Sequence, residues 1–198
     1  MTQKHTAPVL VIGATGNIGR RVVDELLAAH VPVRALSRNP ESAHLPAGAE
    51  VVSGDLTLPE SLDAALGGAS AVFLVWVAPV AHAPAAIARI AAHTRRIVYL
   101  SAPHQTPHPV FQHPNPMSAM HAEIEGLIKA SALTYTMIRP GMFAGNVVHW
   151  WAPQIRSGDV VRWPYAAAES APIDERDIAR VAARALYSLN QAAFWSCQ

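Results

Sequence analysis

Val9-Leu10-Val11-Ile12-Gly13-Ala14-Thr15-Gly16-Asn17-Ile18-Gly19-Arg20-Arg21 decides the fold. The apolar run has the length of a buried strand and ends on a glycine, and two more glycines follow at intervals of three. Val22, Val23, Leu26 and Leu27 then recur with helical spacing, so the stretch predicts strand, tight turn and helix. Each glycine has its own task in such a turn. Gly13 lets the chain reverse, Gly16 lets backbone approach a pyrophosphate, and Gly19 lets the helix lie close on the strand. The N–H groups from Thr15 to Ile18 then face the phosphates at the positive end of the helix dipole. A glycine-rich turn that binds nothing is the bland alternative. The position of this one, directly after a strand and at the head of a helix, favours a dinucleotide held by Gly13, Thr15, Gly16, Asn17 and Ile18.

Working outward, 198 residues suit a single domain, 1–198, in which residues 140–198 contribute the substrate side. A formal charge of +1 with 15% charged residues leaves no electrostatic footprint for nucleic acid, and Arg95-Arg96 is a pair rather than a patch. Cys197 is the single cysteine, so neither a disulfide nor a thiolate metal site is available, which fits a reducing cytoplasm. The polar residues before Val9 lead straight into the first strand without a secretory signal. The uncharged run from Gly67 to Ala88 reaches membrane-spanning length, but Pro79, His82 and Pro84 interrupt it. It reads instead as a buried strand, Ala71 to Val77, then a loop and a helix start, and the expectation is a cytoplasmic protein with no membrane contact.

Further strands are expected at Val31–Leu36, Ala49–Leu56, Arg96–Ala102 and Leu133–Gly141, with helices at Leu58–Leu66, Ala83–His93, Ser118–Ala130 and Ile178–Leu189. Strands alternating with helices predict an α/β doubly wound parallel sheet, the Rossmann arrangement. In it the loop after the second strand meets the adenosine ribose. An acid there would favour NAD, whereas Arg38, about 20 residues beyond the glycines, suits the 2′-phosphate of NADP(H) in preference to NAD(H). A solvated surface arginine is the alternative. Val77 and Ala78, at the end of the fourth strand, face the glycine turn across the switch point and are expected to wall the cofactor.

Between Pro103 and Pro116 five prolines alternate with His104, His108 and His113, which predicts a loop at the carboxyl end of the sheet where a substrate lid would lie. The histidine spacing matches no metal-ligand set, so no metal is expected. Trp150 and Trp151 are either core or the wall of a site for a flat substrate. Val160-Val161-Arg162-Trp163 reads as a short strand.

The Gly-x-x-Gly-x-x-Gly turn resembles that of the atypical short-chain dehydrogenase/reductases, and the NmrA-like group in particular. The resemblance is most specific at His121-Ala122-Glu123-Ile124-Glu125, Ser131-Ala132-Leu133-Thr134-Tyr135-Thr136 and Arg139-Pro140-Gly141-Met142-Phe143-Ala144-Gly145-Asn146. It implies an NAD(P)H-binding Rossmann fold, with Asp55 and Leu56 at the adenine and Ser101, His121, Phe143 and Asn146 near the nicotinamide. A plain turn-capping role for Asp55 is the alternative.

Reductases of the short-chain class use a serine at the end of the fifth strand with a Tyr-x-x-x-Lys helix. Aligned on Glu125, the lysine position falls on His121 and the tyrosine position on Met117, which transfers no proton. Two readings follow. Ser101 and His121 serve an NADPH-dependent oxidoreductase acting on a small-molecule substrate, a flat hydrophobic acceptor that needs little proton help, of the quinone or imine class; or the chain is a non-catalytic NADP(H)-sensing regulator that binds a protein partner. For His121 a surface position without a role is the alternative. Relatives in the family continue for several tens of residues past the late helix, so Phe194 and Trp195 suggest a truncated form or a contact with a protein partner or a second copy.

Overall fold

Val9–Ile12 forms β1, in which every residue is buried because apolar side chains point to both faces of the sheet. The computed structural model describes residues 6–103, 115–163, 169 and 171–187. Asn17–Ala28 follows as α1, and its buried Ile18, Val22, Val23 and Leu26 form one apolar stripe. Val33–Ser37 is β2 and Ala49–Ser53 is β3. A 3-10 turn, Pro59–Leu62, leads into the single-turn helix α2, Asp63–Leu66. Then come β4 at Ala71–Val75, α3 at Ala83–His93 and β5 at Arg96–Leu100. Pro116–Ala130 is α4, Thr134–Ile138 is β6, Asn146–Ser157 is α5 and Glu175–Tyr187 is α6.

The six strands form one sheet in the order β3-β2-β1-β4-β5-β6, and every neighbouring pair is parallel. The chain winds outward from β1 in one direction and, from β4, in the other. That is the doubly wound Rossmann order, with its switch point between β1 and β4. Side chains alternate between the two faces. Val9, Val11, Ala35, Phe73 and Val98 pack against α1 and α6, whereas Leu10, Ile12, Val72, Leu74 and Tyr99 pack against α2, α3 and α4. Each fully buried large apolar side chain contributes about 1.5–3 kcal/mol relative to leaving it exposed.

Several strand ends fall short of the sequence expectation. β3 stops at Ser53 and β4 at Val75, because the chain must leave the sheet at its carboxyl edge to build a site. α6 begins three residues early, at Glu175, since Asp174 accepts a hydrogen bond from Arg176 N–H at 2.8 Å and caps the helix. The expected strand at Val160–Trp163 does not form. Arg162 N–H donates to Gln154 Oε1 at 2.8 Å, and the Trp163 ring lies 5.0 Å from that of Trp150 and 5.7 Å from that of Trp151. With no neighbouring strand to pair its backbone, this apolar segment packs on α5 instead. The run from Gly67 to Ala88 divides into β4 and the first turns of α3, and no helix among the described residues is long and apolar enough to cross a membrane. His104, His108, His113, Phe194, Trp195 and Cys197 lie outside the described residues.

Candidate functional site

The glycine turn places its three glycines as their spacing requires. Gly13 has φ +82, in the left-handed region, and a Cβ there would meet the Val75 side chain at 2.8 Å. A Cβ on Gly19 would stand 2.1 Å from the Gly13 carbonyl oxygen, so α1 lies directly against the end of β1. Gly16 has an ordinary extended backbone, φ −78 and ψ 172, and is exposed. Its Cβ would only approach the Gly13 oxygen at 3.3 Å, so what a side chain would obstruct there is the space outside the turn. α1 has no side-chain cap and no acid in its first turn, and Arg20 N–H makes the first bond back, to the Gly16 carbonyl at 3.0 Å. The helix thus presents its N-terminal N–H groups and positive dipole end to whatever lies in front.

What lies in front is a cleft of about 400 Å³ at the carboxyl edge of the sheet, a size that suits a small-molecule site. Gly13, Thr15, Gly16, Asn17 and Ile18 form one wall, and Arg38, Asp55 and Leu56 line it where β2 and β3 end. Val77, Ala78 and Phe143 close it from the β4 side and beyond. Thr57 and Pro79, which sequence reading passed over, line it as well. Neither carries a spacing signal; they are there because the chain turns back at the strand ends. Ser101, His121 and Asn146 do not line this cleft, although Ser101 follows β5 directly and Asn146 opens α5 close behind Phe143.

Asp55 does two things. Its Oδ1 accepts from Thr57 N–H at 2.8 Å and from the Thr57 hydroxyl at 2.9 Å, which closes a local turn, while the residue also lines the cleft. The backbone hydrogen bond from Thr57 is the main reason its carboxyl is held below 3.8, and Arg38 and His82 add to the effect through their charge. Arg38 is exposed and makes no ion pair or side-chain hydrogen bond with the described residues.

Beyond the β5 end lies a second polar group. The Ser101 hydroxyl donates to Glu125 Oε1 at 2.7 Å, Arg139 Nε donates to the same oxygen at 2.7 Å, and Lys129 Nζ reaches Oε2 at 3.1 Å. Glu125 is 1% exposed. The pairing raises the pKa of Arg139 further above its ordinary value. Next to this group the Tyr99 hydroxyl lies 2.6 Å from His121 Nδ1, and burial pushes the pKa of that phenol well up. Tyr99 and Glu125 therefore belong to the surroundings of Ser101 and His121. Glu125 was visible in the sequence beside His121, whereas Tyr99 looked like any residue of an apolar strand. Met117, at the usual tyrosine position, is 63% exposed.

Trp163 packs tilted against Trp150 and edge-on against Trp151, and none of the three lines the cleft. Among the described residues no cluster of histidine, cysteine and acidic side chains could hold a metal ion.

This chain is similar to several known proteins. A family model described as NAD(P)H-binding matches residues 13–188. The (4-alkanoyl-5-oxo-2,5-dihydrofuran-3-yl)methyl phosphate reductase of Streptomyces griseus is 39% identical over 184 residues, which cover 90% of this chain and 62% of that protein. The NAD(P)H azoreductase of Xenophilus azovorans is 33% identical over 184 residues, 90% of this chain and 63% of that protein. The chain thus spans less than two thirds of the length of either relative. Among solved structures, an NADPH-dependent quinone oxidoreductase from Escherichia coli matches with a TM-score of 0.78 at 25% identity, over 92% of this chain and 64% of the other. A triphenylmethane reductase from Citrobacter sp., complexed with NADP(H), shares the fold with a TM-score of 0.77 at 24% identity, over 92% of this chain and 66% of that one. With the glycine turn, the cleft in front of it and a family match across nearly all of the described residues, the chain belongs to the NAD(P)H-binding family.

Proposed function

We propose that the chain binds NADP(H) in this cleft and passes hydride to a flat hydrophobic acceptor of the quinone or imine class. The observation that carries the reading is the cleft itself: an uncapped helix N-terminus at one wall and, just past the end of β2, an exposed arginine that makes no ion pair or side-chain hydrogen bond with the described residues. A dinucleotide with a 2′-phosphate needs anion donors at both of these places. The glycine cradle fits such a cofactor, since the turn keeps Gly16 where a side chain would fill the approach.

Gly13, Thr15, Gly16, Asn17 and Ile18 would hold the pyrophosphate and Arg38 the 2′-phosphate. Asp55, through its second carboxylate oxygen, and Leu56 would meet the adenine, while Val77 and Ala78 form a wall. Phe143, in the cleft wall, and Asn146, which opens α5 just behind it, would lie near the nicotinamide. When bound, NADPH supplies the hydride. The protein must then manage the proton that the reduced acceptor takes up. The Ser101 proton is directed to Glu125, so its oxygen can accept a hydrogen bond but its proton is engaged, which leaves His121 as the candidate donor. A quinone tolerates this weak proton supply because the hydroquinone anion left by the hydride takes its proton from solvent, and an imine because solvent protonates it to the iminium before the hydride arrives, so that the amine product needs no further proton.

The same engagement of Ser101, together with the exposed Met117, favours the second reading: an NADP(H)-sensing protein that binds and does not turn over, acting through a protein partner or a second copy. Titration with NADPH and NADH by fluorescence, continued as an absorbance assay at the nicotinamide band with a panel of quinones, separates the two. Tight binding of NADPH with consumption supports the reductase. Binding without oxidation supports the sensor, and absence of binding removes both.

A further inference from the structure

Glu175 opens α6, is only 7% exposed and does not line the cleft. Its Oε1 accepts from Asn17 Nδ2 at 3.4 Å and from Gly145 N–H at 3.1 Å. Asn17 is the first residue of α1 and part of the cleft wall; Gly145 immediately precedes α5. A Cβ on Gly145 would stand 2.3 Å from that same oxygen, so a side chain there would displace the carboxylate from the Gly145 N–H. The N-terminal ends of three helices, α1, α5 and α6, thus meet on one buried carboxylate, an arrangement their dipoles favour.

Two residues before Glu175, Ile173 is bonded to the segment ahead of α5: Ala144 N–H donates to the Ile173 carbonyl at 2.9 Å, and Ile173 N–H to the Met142 carbonyl at 2.9 Å. Phe143 in that segment lines the cleft. Glu175 therefore joins the glycine turn to the wall that carries Phe143.

We propose that Glu175 is a positioning residue that couples occupation of the glycine turn to the Phe143–Asn146 segment, its negative charge opposing the bound pyrophosphate through Asn17 while its carboxylate holds Gly145. This rests on the cofactor reading above. A pyrophosphate on the turn brings further negative charge to Asn17, and a buried carboxylate is screened by salt less than a surface one. The carboxylate keeps cofactor affinity below what the turn alone would give, which favours release, and occupation of the turn loosens its grip on Gly145.

Glu175→Gln tests this, because the amide oxygen still accepts from Asn17 and Gly145 while the charge is gone. ADP serves as the probe, carrying a pyrophosphate without the nicotinamide. Glu175→Gln is expected to bind ADP about three- to tenfold more tightly than the wild type, a gain that persists at physiological salt because the carboxylate is buried. Glu175→Asp, which keeps the charge, gains nothing. In the wild type, hydrogen exchange at the Gly145 amide speeds up when ADP saturates the protein, and in Glu175→Gln that response is smaller. A Glu175→Gln protein that is folded and binds ADP no better than the wild type overturns the proposal, as does an equal gain in Glu175→Asp. A wild type that binds neither ADP nor NADPH overturns the cofactor reading itself, and the coupling with it.

Discussion

Ser101 and Glu125, both buried, are joined by a hydrogen bond of 2.7 Å from the serine hydroxyl to the carboxylate. The bond ties the end of β5 to the middle of α4, and Arg139, donating through Nε and Nη2, brings in the end of β6. Three elements on one side of the sheet are thereby fixed by one acid. A carboxylate taken almost wholly out of water is tolerable only because each of its oxygens has cationic or hydroxyl donors.

Glu125→Ala is therefore expected to cost about 2–3 kcal/mol of stability, since it empties a buried site and leaves the buried Ser101 hydroxyl without its acceptor, while Arg139 and Lys129 are exposed enough to be solvated. Ser101→Ala removes one donor and leaves the two cations in place, so about 1 kcal/mol is expected. Urea unfolding of the three proteins measures both. If the two substitutions cost the same, Arg139 and Lys129 contribute nothing and the acid is held by the serine alone.

Gly16 and Gly19 stand three residues apart in one turn and should fail in different ways. Gly19→Ala forces a methyl group toward the Gly13 carbonyl, where only 2.1 Å is available, so the protein should lose stability by about 2 kcal/mol or more. Gly16→Val meets only a 3.3 Å contact and keeps a permitted backbone, so the melting temperature should move little while NADPH and NADH binding disappear. Thermal melting beside a cofactor titration distinguishes the two. Retained affinity in Gly16→Val would falsify the role given to the turn.

This contrast bears on what could be read before the structure. The turn was readable because glycine is the one residue whose absence of a side chain is itself a signal, and β1 and β4 because strands buried on both faces are unbroken apolar runs. Val160–Trp163 misled for the same reason in reverse: apolar residues in a row satisfy a strand pattern, yet aromatic packing on α5 serves them as well. Glu175 gave no signal at all. An acid in the first turn of a helix is expected to be solvated, and only the approach of Gly145 and Asn17 from distant parts of the chain buries it. Tyr99 is similar, since its contact with His121 depends on how α4 lies across β5.

Asp174 gives the chain a pH dependence with a definite sign. Its carboxyl is pulled from 3.8 to about 2, first by the side chain of Arg176 and then by the Arg176 backbone N–H, the cap of α6. Because the folded value lies below the unfolded one, the stabilisation is complete above about pH 4 and is lost as pH falls toward 2. The melting temperature of Asp174→Asn should lie below that of the wild type at pH 6, and the gap should narrow steadily between pH 4 and pH 2. Both groups are exposed, so added salt should narrow it as well. A gap that widens on acidification would show that the cap stabilises through something other than the charged carboxylate.

Arg38 carries the choice between the two nicotinamide cofactors. It lies at the end of β2 in the cleft wall, exposed, and no described side chain competes for its guanidinium. NADPH and NADH differ only by the 2′-phosphate, so an arginine that pairs with that group should stabilise one complex and leave the other nearly untouched. A charge-assisted contact of this kind is worth about 1.5–3 kcal/mol, which predicts that Arg38→Ala weakens NADPH about ten- to a hundredfold. Binding of NADH should change by less than about threefold. Asp55 sharpens the test. Its carboxyl is held below 3.8 and is thus ionised at neutral pH, and part of that effect comes from the charge of Arg38. Arg38→Ala should therefore raise the Asp55 pKa slightly, a change that a carbon-detected carboxyl titration can follow without cofactor. Equal losses for NADPH and NADH would mean that the arginine supports the shape of the cleft, and the 2′-phosphate would then need another partner.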